Sequence, residues 1–397
     1  MKKIMLLGGS AQQVIAIETA KRLGYYTVLC DFLTDNPGQY VADKFYLVST
    51  TDKEAVLKVA QEENISGILA YASDPAAPTA AYVAEKMGLP TNPYLSVKIL
   101  CNKDQFRRFL SDNGFNAPLS EGYASAEEAR SGIEKFKFPI IVKPVDSSGS
   151  KGVTVLHDAL EVDYAIAFAF SFSRSHRIII EEYIEKKHPY LIGGDIFIKD
   201  GQVILWGLLN CLRDPRVNSL VPVGKSFPPE LSPHDLQRVK DVLQKMVEKL
   251  GIRFGAMNVE LVVDSFGRVW PIDVGPRNGG NMIPDLLGMI FNVDIVEMSV
   301  LAAMGECWNC EVGTGEKYYA TYNLHSDKDG IFQGIKVHPA LRDNIIRTCI
   351  YKKPGDKIEF FDNASKALGI VFLHFENEEE MIRHLTVITD EIEIIMA

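Results

Sequence analysis

From its first residues the chain alternates short apolar runs with segments whose apolar residues recur at helical spacing. Lys3–Leu7 is a strand pattern that ends at Gly8-Gly9-Ser10. Residues 11–23 follow as a helix pattern, with Val14, Ile17 and Ala20 on one face. Residues 27–30, 45–48 and 68–71 read as further strands. Helices are predicted over 52–63, capped at Thr50, Thr51 or Asp52, and over 75–87, opened by Asp74-Pro75 and stopped by Gly88. Strands alternating with single helices predict βαβ units and a parallel sheet. Ligands of such sheets collect at the carboxyl ends of the strands. Gly8–Ser10, Asp31 and Ser73-Asp74 should then rim one crevice.

Residues 91–93 read as a linker. A helix over 102–113 follows, with Lys103 in its first turn and Gly114 at its end. Between 118 and 185 the pattern gives strands at 139–144, 152–157 and 177–182 and helices at 126–136 and 160–172. Two strands within 190–213 meet at Lys199-Asp200-Gly201, a strong hairpin signal. A long amphipathic helix covers 232–250. Strands at 256–264 and 268–273 meet at Ser265-Phe266-Gly267, and two helices fill 281–304. The last stretch carries strands near 318–324, 345–351 and 369–375, then a helix capped by Asn377 with Glu380 three residues on. The pattern predicts an α/β chain: a parallel-sheet domain over 1–93, a central domain over 94–310 with a subdomain at about 118–185, and a small α+β domain over 311–397.

Composition narrows the function classes. A length of 397 residues suits two or three domains, and 47% hydrophobic with 24% charged residues is ordinary for a folded chain with a large core. The formal charge of −10 repels phosphate backbones, so no nucleic acid partner is expected. No window approaches the ~18 apolar residues of a membrane span, and the run after Met1-Lys2-Lys3 is too short for a signal peptide. No membrane partner and a cytoplasmic location follow as expectations, with a homodimer as the base-rate assembly. Six cysteines do not make a disulfide framework, and Cys307-Trp308-Asn309-Cys310 is a lone CxxC, read as ordinary reduced thiols ahead of metal or redox use.

Three segments carry chemistry. In the first, an apolar strand delivers Lys143 at its end, and Ser147-Ser148-Gly149-Ser150-Lys151-Gly152 follows. Small residues let backbone amides approach a polyphosphate, with the lysine as counter-charge. The P-loop pattern is absent, and Gly8-Gly9-Ser10 lacks the later glycines of a dinucleotide fingerprint. In the second, the strand before Glu181-Glu182-Tyr183-Ile184 ends in carboxylates. Edge amides near Ile184 could read a purine, and a neighbouring acid could accept its exocyclic amine. In the third, Glu260 and Asp273 flank a tight turn, so paired antiparallel strands would set them side by side. Two such acids repel unless a cation lies between them, and Mg²⁺ takes one or two carboxylates plus phosphate oxygens. Arg277 follows in a Gly- and Asn-rich loop suited to holding an anion.

As an ordered set these features resemble the ATP-grasp superfamily of ligases, of the biotin carboxylase, carbamoyl-phosphate synthetase large chain and phosphoribosylamine–glycine ligase kind. The resemblance covers most of the chain and implies a pre-ATP-grasp domain, an ATP-grasp domain with a lid subdomain and a small C-terminal domain. It implies that Lys103 and Lys143 hold ATP phosphates under a lid of Ser147, Ser148, Gly149 and Gly152. Glu181, with Glu182 beside it, and Ile184 then match the hinge that reads adenine. Glu260 and Asp273 match the magnesium carboxylates, and Arg277 the arginine that steadies an acyl phosphate. The implied cofactors are ATP and one or two Mg²⁺, with Mn²⁺ able to substitute. The implied reaction joins a small carboxylate, an amino acid among the candidates, to an amine or other nucleophile. It proceeds through an acyl phosphate and releases ADP and phosphate. The other readings are a non-catalytic ATP-binding protein and an NAD(P)-dependent oxidoreductase. The chain departs from the family pattern at three points. Asp273 is shorter than the usual Glu. Gly275 replaces an Asn, with Asn258 and Asn278 as nearby amides that could compensate. His188 stands where a ribose-binding acid is common, with Glu185 and Asp195 as alternatives. Asp31, Asp74 and Arg213 are placed near the acceptor pocket by topology.

Overall fold

The computed structural model describes residues 1–308, 311–315 and 318–397. The N-terminal strands β1 (Lys3–Leu7), β2 (Tyr26–Asp31), β3 (Lys44–Leu47) and β4 (Gly67–Leu69) form a parallel sheet in the order β3-β2-β1-β4. Period-two alternation sends Met5, Leu7, Val28 and Cys30 to one core and Ile4, Leu6 and Leu29 to the other. Helix α1 (Val14–Arg22) covers one face with Ala16, Ile17 and Ala20; α2 (Lys53–Glu63) and α3 (Ala77–Met87) cover the other. Burial on both faces is why these strands read as continuous apolar runs. Asp52 caps α2 through Ala55 N, and α3 ends at Gly88 in the left-handed conformation.

The linker is longer in sequence than expected and contains a helix, α4 (Tyr94–Leu100), which the pattern did not show. Next, α5 (Lys103–Asp112) starts where Asn102 Oδ1 accepts from Gln105 N at 3.0 Å. The subdomain is an antiparallel sheet of β5 (Ser120–Tyr123), β6 (Ile140–Pro144), β7 (Thr154–Leu156) and β8 (Ile178–Glu182), ordered β5-β8-β6-β7. Helices α6 (Ala126–Gly132) and α7 (Val162–Phe172) pack on it. Strand β7 is shorter than the sequence pattern because Gly152, at φ +73°, still belongs to the turn.

A large antiparallel sheet carries the rest. Strands β9 (Leu191–Lys199) and β10 (Gln202–Leu212) form the expected hairpin, with Asp200 and Gly201 both at positive φ. Strands β11 (Gly224–Phe227), β12 (Gly255–Val263) and β13 (Val269–Gly275) join them. The amphipathic helix α8 (Pro233–Leu250) lies on one face, and α9 (Ile283–Phe291) and α10 (Ile295–Ala303) on the other. The C-terminal stretch contributes β14 (Tyr318–Leu324), β15 (Gly330–Val337), β16 (Ile345–Ile350), β17 (Lys357–Ile358), β18 (Gly369–Phe375), helix α11 (Glu378–Thr386) and β19 (Ile392–Met396). It keeps an α+β character, yet β14, β18 and β16 extend the central sheet, whose order is β13-β12-β9-β10-β11-β14-β18-β16. Among the described residues no single helix is long and apolar enough to cross a membrane. Cys30, Cys101, Cys211, Cys307 and Cys349 are free thiols; Cys310 of the CxxC lies outside the described residues.

Candidate active site

The subdomain sheet, the central sheet and the carboxyl end of the N-terminal sheet enclose a cavity of about 450 Å³. Its floor is the β12–β13 hairpin. Glu260 and Asp273 are direct cross-strand partners, as the spacing predicts, and both line the cavity. The turn between them is locked by Asp264, whose carboxylate accepts from the Phe266 and Arg268 amides and from the Trp270 indole. Lys103 Nζ lies 3.0 and 3.2 Å from the two oxygens of Asp273 and 3.3 Å from the Ser147 carbonyl. Burial alone would raise the Asp273 carboxyl; Lys103 beside it holds it below its ordinary value. Glu260 has Lys225 Nζ at 4.0 Å. Paired carboxylate oxygens beside a lysine-lined cavity suit a hard divalent ion that completes its shell with phosphate oxygens and water.

Above the floor, Lys143, Glu181 and Arg107 form a buried charge cluster. Lys143 pairs with Glu181 Oε1, and Arg107 reaches both Glu181 oxygens, at 2.9 and 3.3 Å. Arg107 Nη2 also donates to the Ile272 carbonyl at 2.7 Å, next to Asp273. One guanidinium thereby ties α5, β8 and β13 together. Burial pushes Lys143 down to about 8, although Glu181 opposes the shift. For Glu181 burial is overcome by Arg107 and Lys143, which hold it at about 2. The Glu181 carboxylate is thus committed to two cations. It still lines the cavity, together with Glu182, Tyr183 and Ile184 at the strand end.

The loop after β6 crosses the cavity. Ser147, Ser148 and Gly149 line it, whereas Gly152 packs on Pro144 and Phe172 and shapes the turn. Ser147 Oγ donates to Lys151 O at 2.8 Å, and Ser150 Oγ to Leu220 O at 3.0 Å, which docks the loop on the β10–β11 connection.

Arg277 lines the far wall and pairs with Asp74, at the β4–α3 connection of the N-terminal domain. Burial works against its charge, but Asp74 raises the guanidinium further above its ordinary value. At Gly275 an added Cβ would sit 2.3 Å from Asp74 Oδ1. The missing Asn thus makes room for the acid that holds Arg277. Of the two amides offered as substitutes, Asn258 lines the cavity beside Glu260 and Asp273 and Asn278 does not. Asn258 Nδ2 donates to Gly194 O and Asp195 Oδ1, both at 2.9 Å, while buried Asn278 is absent from the cavity lining. Asp195 accepts twice from Gly279 N, at 2.9 and 2.7 Å, so it braces the Arg277 loop and is not turned toward a ribose. Its burial raises the carboxyl to about 6. His188 Nε2 faces Val263 N at 3.4 Å and does not line the cavity.

Asp74 and Arg213 line the cavity as topology suggested; Asp31 does not. Its carboxylate accepts from Gly9 N at 2.7 Å and Leu33 N at 2.9 Å. Ser10 N donates to Gln13 Oε1 at 3.0 Å, so the first glycine turn is filled by its own side chains, which removes the dinucleotide reading of it. Sequence reasoning missed Arg107 and Lys225. Arg107 lies four residues after Lys103 on α5, where an arginine reads as solvated surface; only its burial between Phe106 and Leu110 on the apolar face hinted otherwise.

A family model described as the ATP-grasp domain matches residues 136–285. The formate-dependent phosphoribosylglycinamide formyltransferase of Paraburkholderia xenovorans is 30% identical over 290 residues, covering 69% of each chain. The carbamoyl phosphate synthase large chain of Clostridium botulinum is 25% identical over 336 residues; the match covers 82% of this chain and 30% of that protein. The crystal structure of an L-amino acid ligase from Bacillus licheniformis superposes with a TM-score of 0.81 at 20% identity, covering 100% of this chain and 99% of that one.

Proposed function

This chain belongs to the ATP-grasp family, and from that premise we propose that it is an ATP- and Mg²⁺-dependent carboxylate–amine ligase that works through an acyl phosphate. The observation that carries the reading is the convergence of Lys103, Lys143, the Glu260–Asp273 pair and Arg277 on one cavity, from separate parts of the chain. Glu260 and Asp273 would hold Mg²⁺, which would screen the phosphates and orient the transferred group. Lys103 and Lys143 supply fixed positive charge along the polyphosphate, and Arg277, oriented by Asp74, faces the group being activated. The substrate carboxylate oxygen attacks the γ-phosphorus and ADP leaves with the bridging oxygen. The amine nitrogen then attacks the acyl carbon, phosphate leaves, and the nitrogen gives up a proton. The loop from Ser147 to Gly152 covers the site and limits hydrolysis of the intermediate. Formate-dependent phosphoribosylglycinamide formylation, carbamoyl phosphate synthesis and L-amino acid ligation, the activities the relatives are named for, fit this scheme.

The test is a screen of amino acids and small carboxylates for phosphate release with Mg-ATP. Acceptor-dependent ADP formation is the expected result. Transfer of ¹⁸O from the substrate carboxylate into phosphate should accompany it. ATP binding without turnover on any acceptor would instead mark a non-catalytic nucleotide-binding protein.

A further inference from the structure

Seven lysine and arginine side chains line the cavity, and they differ in how they are committed. Lys143 is tied to Glu181, Lys103 to Asp273 and Arg277 to Asp74, while Lys225 lies against Cys211 and Glu260. Lys151 and Lys186 stand on the lid loop and the hinge, at the nucleotide end. Arg213 is different. It leaves the end of β10 half-buried and lines the cavity. Its polar contact among the described residues is the carbonyl of its own neighbour, Leu212, at 3.5 Å, the limit of a hydrogen bond.

Its other neighbour, Asp214, would be the natural counter-ion and is unavailable. The Asp214 carboxylate accepts from Arg216 Nη2 at 2.9 Å and from Arg216 N at 2.9 Å, with His325 Nε2 at 3.1 Å. His325 is itself buried and directs Nδ1 to the Asn323 carbonyl at 2.7 Å. Those contacts hold Asp214 at about 2, against the cost of its burial, and fix the backbone where β10 ends. The result is a guanidinium, anchored through its backbone, that lines the cavity with no carboxylate partner among the described residues.

We propose that Arg213 reads a free carboxylate on the acceptor, so that the amine consumed here is borne by a carboxylate-bearing molecule, of which an α-amino acid is the simplest. The inference rests on the ligase reading above and names its second substrate class. The planar fork matches a carboxylate bidentately. A phosphorylated amine would call for more donors, and the Gly8–Ser10 turn has already given its Gly9 and Ser10 amides to Asp31 and Gln13.

The experiment compares the wild type with Arg213→Gln and Arg213→Lys. ADP release with Mg-ATP and one fixed, saturating small carboxylate as the acyl donor is followed while the amine partner is varied over amino acids, their C-terminal amides and O-phosphoethanolamine, and the melting of each protein with Mg-ADP is recorded with and without L-alanine and L-alaninamide. In the wild type the amino acid should outperform its amide by about tenfold or more in KM, the size of one lost charge-assisted pair. Arg213→Gln should raise the KM of the acid about tenfold while leaving that of the amide and of ATP within about twofold, and Arg213→Lys should fall between. Equal use of acid and amide by the wild type overturns the proposal, as does unchanged acid use by Arg213→Gln or a wild-type preference for O-phosphoethanolamine. If no acceptor stimulates ADP release, the ligase reading fails and melting decides the site. L-alanine stabilising the wild type but not Arg213→Gln upholds a carboxylate site; no difference overturns it.

Discussion

Two glycine- and serine-rich turns follow strands in this chain, and they meet opposite fates. At Gly8-Gly9-Ser10 the backbone donors are consumed internally, by the Cys30 carbonyl, the Asp31 carboxylate and the Gln13 side chain. At Ser147–Ser150 the loop lines an open cavity, and Lys103 and Lys143 stand beneath it on other elements. Composition does not distinguish a turn that serves the fold from one that serves a ligand. What distinguishes them is whether a carboxylate or carboxamide of the same domain reaches the amides first. The N-terminal sheet brings Asp31 beside Gly9 because β1 and β2 are adjacent and parallel.

The largest expected effect tests the open loop. On the proposed reading Lys143→Ala removes a preorganised charge from the phosphate site, so it should lower kcat/KM for ATP by at least about 10²-fold. Circular dichroism and cooperative melting should be retained, because Arg107 still satisfies Glu181. Full ADP release by this variant would remove the loop from the active site.

Gly9→Ala tests the closed turn. Its Cβ would lie 2.1 Å from Asn36 Oδ1 inside the N-terminal domain, so the variant should lose about 1–3 kcal/mol of stability in urea, with KM for ATP unchanged. Gly152→Ala makes the converse prediction. At φ +73°, with Pro144 2.9 Å from the new Cβ, it should cost about 1–2 kcal/mol locally and raise KM for ATP severalfold. If both variants shift stability and nucleotide affinity alike, the contrast between the turns is lost.

The smallest effect concerns the carboxylates that brace glycine loops. Asp195 holds Gly279 as Asp31 holds Gly9, but burial raises Asp195 to about 6. A raised acid contributes stability that is fully present below its ordinary value near 4 and lost as pH rises through about 6. Wild-type melting temperature should therefore drop by a few degrees between pH 4 and pH 7, and Asp195→Asn should flatten that slope. An identical slope in both proteins would show that Asp195 is not the group responsible.

Much of this architecture was legible because its signals are local. The βαβ rhythm of the first 93 residues, the Lys199-Asp200-Gly201 hairpin, the caps at Asp52 and Asn377, and the spacing that puts Glu260 opposite Asp273 all follow from side-chain period and turn chemistry. The candidate site residues stood out for a related reason: Lys103 opens a helix, Lys143 and Glu181 lie near strand ends, and Glu260 faces Asp273 across a hairpin. What only the tertiary structure decided is which charges meet. Arg107 finds Glu181, Asp74 finds Arg277, Gly275 clears the space between them, and β14 extends a sheet begun more than a hundred residues earlier. Periodicity tells a residue which way to face along its own element. It carries no information about the partner that a buried charge must find across the fold, and in a low-dielectric interior that partner decides whether a cation anchors the scaffold or waits for a substrate.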